Sequence, residues 1–485
     1  MGRYFGHLKN AFLGQPKGLS TLSYTEMWSR FSYYGMRAII LFYMYYSLAK
    51  GGLGFSQGTA ASIMSIYGSL VYLSYIIGGY VSDRMLGSQK SVFYGAILIL
   101  FGNLLLSFPL GVKTLFLSMV LIIMGTGLFG PNITNIVGNL YDSSGFQREI
   151  GFTIFVFSTN VGAFFAPIIV GGLGMRINFH FGFLLSAIAM LIGLIQYYFS
   201  NKNNFNGDNL YPTNPIEPQD VKKIIFKTIL FLIGFVLIIS LMIVMNELNI
   251  KNLITLSSIF VIAVPIIYFI VMLLSNKISK QEHRNLLKYI PFFIVAVIFW
   301  GIEEQGSVIL ALFAQNQTDN HILGFTLPAS VYQSLNPLFF ILYTPFFIMV
   351  WNKMNQNKRK ANAAHMFSYG MIFTGLSFLW MVIPLLLFGL SSKISPFWLI
   401  GSWAIIEIGE MLISPIGLSI TTELSPKAYK SQMLALWFLA DAAGQAINSQ
   451  IIKLYSVNEV AYFAWIGIIV IAVGILLPIV VKKNN

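Results

Sequence analysis

The chain has 485 residues, of which 56% are hydrophobic and 10% charged, with a formal net charge of +13. Soluble domains carry about 25% charged residues, so a mean hydropathy of +0.74 excludes a soluble domain of any size. The positive charge does not mark a nucleic-acid binder. Its clusters, Lys277, Lys280, Arg284 and Lys288 and then Lys353, Lys358, Arg359 and Lys360, fall in loops between long apolar runs, where basic residues set membrane topology.

Many runs approach the roughly 20 residues that a helix needs to cross a bilayer. Runs such as 92–108 and 466–481 show none of the alternation of a barrel strand. The chain therefore reads as an all-α polytopic membrane protein. Residues 1–19 carry scattered basic residues and no cleavage pattern, and read as a retained cytoplasmic tail. Six spans follow, at 20–48, 59–83, 91–109, 114–140, 149–173 and 180–199. A polar stretch, Asn201–Asp220, leads to two more at 223–245 and 253–274. The last six fall at 288–314, 326–351, 362–389, 396–422, 431–453 and 458–481, which makes about 14 transmembrane helices.

Basic residues set the orientation. Of the thirty, Arg30 and Arg37 lie inside the first span, and six (Lys50, Lys113, Arg176, Lys251, Lys393 and Lys453) lie on one side. The rest lie on the side of the termini, which places both termini in the cytoplasm of a multi-pass cell-membrane protein. Six spans, two spans and six spans suggest a major facilitator fold: an N-terminal six-helix bundle over 1–200, an inserted pair over 201–286 and a C-terminal bundle over 287–485. The loop Gly79-Tyr-Val-Ser-Asp83-Arg84-Met-Leu-Gly87-Ser-Gln-Lys90 matches the facilitator pattern, with Asp83 and Arg84 expected to cap helix ends and pair across a cytoplasmic gate.

An ionisable side chain at membrane depth costs at least about 2.5–3.5 kcal/mol, so each one is a functional suspect. The first span holds Glu26, Arg30 and Arg37, the ninth Glu303 and Glu304, the twelfth Glu407 and Glu410, and the thirteenth Asp441. Glu26 and Arg30 are one turn apart and share a face, with Arg37 two turns further on the same face and Tyr33 and Tyr34 between. Glu26 and Arg30 could also be a purely structural pair. A cavity with arginines on one wall and acids on the other suits a zwitterion. No nucleophile with its base, metal cluster or phosphate loop is evident, and there are no cysteines; an enzyme is not expected. His7, His180, His283, His321 and His365 fall in loops or near span ends, where solvent or interface exposure is expected.

The stretch Glu26-Met-Trp-Ser-Arg30-Phe-Ser-Tyr33-Tyr34-Gly35-Met-Arg37 resembles the first-helix signature of the proton-dependent oligopeptide transporter family, ExxERFxYYG. Gly125-Thr-Gly127 with Pro131-Asn132, Gly151-Phe-Thr-Ile-Phe with Asn160, and Phe299-Trp300-Gly-Ile-Glu303-Glu304-Gln305 resemble later motifs of that family. So do Gln333-Ser-Leu-Asn336-Pro337, Glu410-Met-Leu-Ile-Ser-Pro415-Ile-Gly417 and Trp437-Phe. The resemblance implies a symporter of di- and tripeptides, with protons as the coupling ion and no other cofactor. It implies small peptides and membrane lipid as partners, no nucleic acid, and a working monomer. Arg30, Arg37, Tyr33, Tyr34, Tyr72 and Asn160 would hold the peptide carboxylate and backbone, and Glu410 with Asn336 the amino terminus. Trp300 and Trp437 would wall side-chain pockets. Glu304 would carry a proton and pair with Arg37 across the extracellular gate, with Glu26 also in the coupling set.

Three positions depart from the family pattern. Ser29 replaces the second glutamate of the signature, Gly130 replaces a lysine, and Asp441 stands where a small neutral residue is common. Losing Glu and Lys together keeps the charge balance, whereas losing one would strand a buried charge at about 3–5 kcal/mol. The departures point to rewired coupling. Asp441 reads either as a packing acid satisfied by hydroxyls or water, or as a substituted proton or ammonium site. A same-family transporter of a restricted or non-peptide solute stays open, as does a non-transporting scaffold or sensor, against which the buried acids count.

Overall fold

The computed structural model describes residues 14–141, 146–204, 210–322, 324–356, 362–390 and 392–483. His7, most of the N-terminal tail, and Lys358, Arg359 and Lys360 lie outside the described residues. Within them the chain forms fourteen long helices. These are α1 (Lys17–Tyr45), α2 (Gln57–Val81), α3 (Ser88–Leu106), α4 (Val112–Gly138), α5 (Phe146–Ala166), α6 (Phe179–Asn204) and α7 (Pro218–Val244). The rest are α8 (Ile250–Leu273), α9 (Lys280–Glu303), α10 (Leu335–Gln356), α11 (Ala363–Phe388), α12 (Pro396–Glu423), α13 (Lys430–Ile451) and α14 (Glu459–Lys483).

Eleven helical stretches of the described chain are long and apolar enough to cross a membrane. The helices outside that set are α1, with its Glu26, Arg30 and Arg37, α13, with Asp441, Gln445 and Asn448, and α7, where only Ile233–Val244 qualifies as a shorter apolar helix. Helix starts follow local chemistry. The Ser56 hydroxyl accepts from Thr59 N at the start of α2, and Ser279 and Glu282 form a reciprocal capping box on α9.

Two spans that read as regular α-helices change geometry part-way. After Ala166, α5 passes through a π-helical turn, Pro167–Gly171, into a short helix, Gly172–Arg176. The span expected at 288–314 breaks at a 3₁₀ turn, Glu304–Ser307, before resuming over Ile309–Asn316. Hydropathy could not reveal this, because the run stays apolar on both sides of the break. Irregular backbone at membrane depth is tolerated where protein encloses it, and this turn is enclosed: Gln305 donates to Asn448 Oδ1 at 3.0 Å and accepts from the Tyr462 hydroxyl at 2.9 Å.

Glycines let the helices meet. A side chain at Gly78 would collide with the Gly127 carbonyl, joining α2 to α4, and one at Gly95 with the Gly125 carbonyl, joining α3 to α4. Gly301 and Gly444 do the same for α9 and α13, and Gly375 and Gly467 for α11 and α14. Without a hydrophobic drive between helices in lipid, such close approach is a main source of packing energy. In the first group α1 packs on α5 and α6, and α3 on α4 and α6; in the last, α9 packs on α13 and α14, and α11 on α12 and α14. The two groups meet mainly where α2 crosses α13 and α5 crosses α10. Helix α8 packs on both α13 and α2, with Ser258 bonded to Ser449 at 2.8 Å and Gln450 donating to Ser258 at 3.0 Å.

A short hairpin, His321–Ile322 with Phe325–Thr326, caps one end of the molecule. That end is closed across the two groups. Arg176 donates to Thr326 O at 2.7 Å, Ser334 to Phe164 O at 2.7 Å and Gln333 to Ala38 O at 3.4 Å.

Candidate functional site

Helical spacing places Glu26, Arg30, Tyr33, Tyr34 and Arg37 along the inner side of α1. Arg30 Nε donates to Glu26 Oε1 at 2.6 Å. Arg37 donates through Nη2 to the Glu304 carboxylate and to Ser307 Oγ, the latter at 3.0 Å. Its guanidinium also lies 5.9 Å from the centre of the Tyr33 ring. Arg37 is 4% exposed and Glu304 8%, so this is a buried ion pair between α1 and the break in α9. The expected pairing of these two residues is present.

The facing wall is acidic. Asn336 Nδ2 donates to Glu303 Oε1 at 2.8 Å and to Glu407 Oε2 at 3.0 Å, and Glu410 lies beside the same amide. The other Glu407 oxygen is buried without a hydrogen-bond partner among the described residues. No described basic side chain forms an ion pair with these three carboxyls; the ion pairs among the described residues are Arg30–Glu26, Arg37–Glu304 and the exposed Lys223–Asp220. A pocket opens between the two walls, lined by Tyr34, Arg37, Asn160, Glu303, Glu304 and Asn336. Asn160 turns its amide back onto Val156 O at 3.0 Å, leaving its carbonyl oxygen without a protein donor in the described hydrogen bonds.

Trp300 and Trp437 meet edge to face, with centroids 6.3 Å apart. Trp437 also fills the space over Gly417, where a side chain would collide with its ring. Asp441 is 3% exposed and accepts from Gln445 Nε2 at 2.7 Å. Its electrostatic neighbours are Glu304, Arg37 and Tyr72, at the crossing of α2 and α13, where Ser69 Oγ donates to Ala442 O at 2.7 Å.

Asp83 and Arg84 stand elsewhere. They lie on a π-helical turn after α2, where Arg84 Nη1 donates to Asn214 O at 3.1 Å and Thr213 Oγ1 to Asp83 Oδ1 at 3.4 Å. In this structure they hold the segment after α6 and do not pair across the two helix groups. The reason is geometric: the turn points them at 213–216, whose backbone also bonds to theirs. His180 departs from the expected exposure, since its Nδ1 is 2.8 Å from Leu106 O and its ring packs on Tyr43.

Tyr75 belongs to the site and was not singled out from the sequence. Its phenol sits over Gly130, where a Cβ would come within 3.0 Å of Cζ and 3.1 Å of the hydroxyl. It also lies beside Arg30. Its position three residues after Tyr72, on the same face of α2, was the available signal. Ser307 and Glu407 were likewise missed as partners of Arg37 and Asn336.

Residues 89–469 match the profile described as the POT family. The chain is 44% identical over 486 residues to a di-/tripeptide transporter of Lactococcus lactis subsp. cremoris, covering 98% of this chain and 97% of the relative. It is 45% identical to an uncharacterized transporter, YclF, of Bacillus subtilis (strain 168), covering 98% and 96%. Among solved structures, a peptide transporter POT in complex with sulfate superposes with a TM-score of 0.94 at 43% identity, covering 98% of this chain and 96% of that one.

Proposed function

This chain belongs to the POT family, and on that premise we propose that it is a multi-pass membrane symporter that imports di- and tripeptides with protons by alternating access. The observation that carries the reading is the pocket between Arg37 and the glutamate carboxyls gathered around Asn336. One wall offers guanidinium groups to a peptide carboxylate, and the other offers carboxylates to its ammonium.

Arg30, Arg37, Tyr33, Tyr34, Tyr72 and Asn160, now with Tyr75, hold the carboxylate and backbone in this reading. Glu410 and Asn336 take the amino terminus, and Trp300 and Trp437 wall the side-chain pockets. Glu304, Glu26 and Asp441 form the proton-handling set. A proton on Glu304 removes the charge that Arg37 answers to. The buried pair then becomes a weaker neutral contact, and the hairpin end can open. Ser307 keeps a hydroxyl within reach of Arg37, so the guanidinium is not stranded. The six-plus-two-plus-six division, cytoplasmic termini and a working monomer complete the proposal.

Preference for cationic peptides is the specific variant favoured by Glu303, Glu407 and Glu410, which no described base neutralises. Proton-driven dipeptide uptake into proteoliposomes, with and without an imposed pH gradient, tests the reading. Accumulation that follows the gradient is expected, and no accumulation of any dipeptide in a panel would overturn it.

A further inference from the structure

A second cavity among the described residues lies apart from the site between the helix groups. It is a pocket of about 550 Å³ at one end of the last group, between the starts of α9 and α11 and the ends of α12 and α14. Lys288, on its wall, precedes Glu304 by sixteen residues, or about 24 Å of helix at about 1.5 Å per residue. None of its lining residues takes part in the peptide site.

The lining combines two chemistries. Phe292, Ile420, Leu424 and Ile479 make an apolar floor, and Lys288 and Lys482, with His365 nearby, make a basic edge. Among the described residues no carboxylate lines it. Neither lysine has an ion-pair partner among the described residues. Ile479 and Lys482 are exposed on the outer flank of α14, so the pocket opens toward the surface that faces lipid.

A soluble anion would use the lysines and waste the apolar floor. A neutral acyl chain would fill the floor and leave the lysines unanswered. An amphiphile with an anionic head uses both, and basic pockets between membrane helices suit such headgroups. We propose that this pocket binds one anionic phospholipid, its phosphate between Lys288 and Lys482 and the start of an acyl chain on Phe292, Ile420 and Ile479. The assignment is independent of the transported solute.

The test uses the full chain purified in a non-ionic detergent and examined by native mass spectrometry and thermal melting. Phosphatidylglycerol, phosphatidylcholine and free glycerol 3-phosphate are added in turn. Wild type should retain one phosphatidylglycerol in preference to phosphatidylcholine and gain melting temperature from it, with no response to glycerol 3-phosphate. Lys288→Gln/Lys482→Gln should weaken this binding about tenfold or more, the loss of a charge-assisted contact. Lys113→Gln/Lys251→Gln, with the same net charge change at the other side, should not. Ile420→Trp fills the floor with both lysines kept and should also abolish retention. Equal binding by the two lysine pairs, equal retention of the two lipids, or a matching response to glycerol 3-phosphate would overturn the assignment.

Discussion

Arg37 on α1 and Glu304 at the break in α9 are 267 residues apart in sequence and form one buried ion pair that joins the two helix groups. The break itself makes the contact. It ends α9 at Glu303 and turns the next residue inward, while Gln305 locks the turn to α13 and α14.

Glu304→Gln should therefore abolish gradient-driven accumulation and keep counterflow exchange. A glutamine still accepts from Arg37 but cannot release a proton. Uptake and exchange in the same proteoliposomes check this, and a mutant that still concentrates peptide under a proton gradient would remove Glu304 from the coupling path.

Among the described residues Arg30 has one carboxylate partner, Glu26, and Tyr75 close by. Arg30→Ala should weaken binding of free-acid peptides by about tenfold or more, because a charge-assisted hydrogen bond contributes about 1.5–3 kcal/mol. C-terminally amidated peptides should lose less. Competition assays with matched acid and amide pairs measure the difference, and equal losses exclude Arg30 from carboxylate binding.

Gly130→Ala puts a methyl group about as close to the Tyr75 phenol as packing permits, with 3.0 Å to Cζ. Overpacking typically costs about 1–3 kcal/mol. Tyr75 should move off Arg30 and apparent peptide affinity should fall several-fold. On a Tyr75→Leu background the same change should add little further loss, because neighbouring residues couple. Additive losses in that cycle would show that Gly130 acts through something other than Tyr75.

Asp441→Ser removes an ionisable carboxyl beside Glu304 and Tyr72. A nearby negative charge makes a carboxyl hold its proton more firmly, so the pH of half-maximal uptake should fall. Preference for lysine- or arginine-containing peptides should fall with it. Uptake against pH for wild type and variant is the measurement. Superimposable profiles with unchanged selectivity would leave Asp441 as a packing residue tied to Gln445.

The number of helices and the residues of the first-helix signature were legible in the chain itself, because their determinants are local. Most of the helices are long apolar runs, which by themselves mark a span, and Glu26, Arg30 and Arg37 share a face by spacing alone. The tertiary structure decided what no local rule carries. The break at Glu304–Ser307 lies in a run apolar on both sides and is held by distant partners, Gln305 by Asn448 and Tyr462, and Glu304 and Ser307 by Arg37. Asn336 bridges Glu303 and Glu407 from three separate helices, and Tyr75 reaches position 130 because α2 and α4 approach at glycine. Asp83 and Arg84 turned to residues 213–216, more than a hundred positions away, since hydrogen bonds go to whatever the fold brings within about 3 Å.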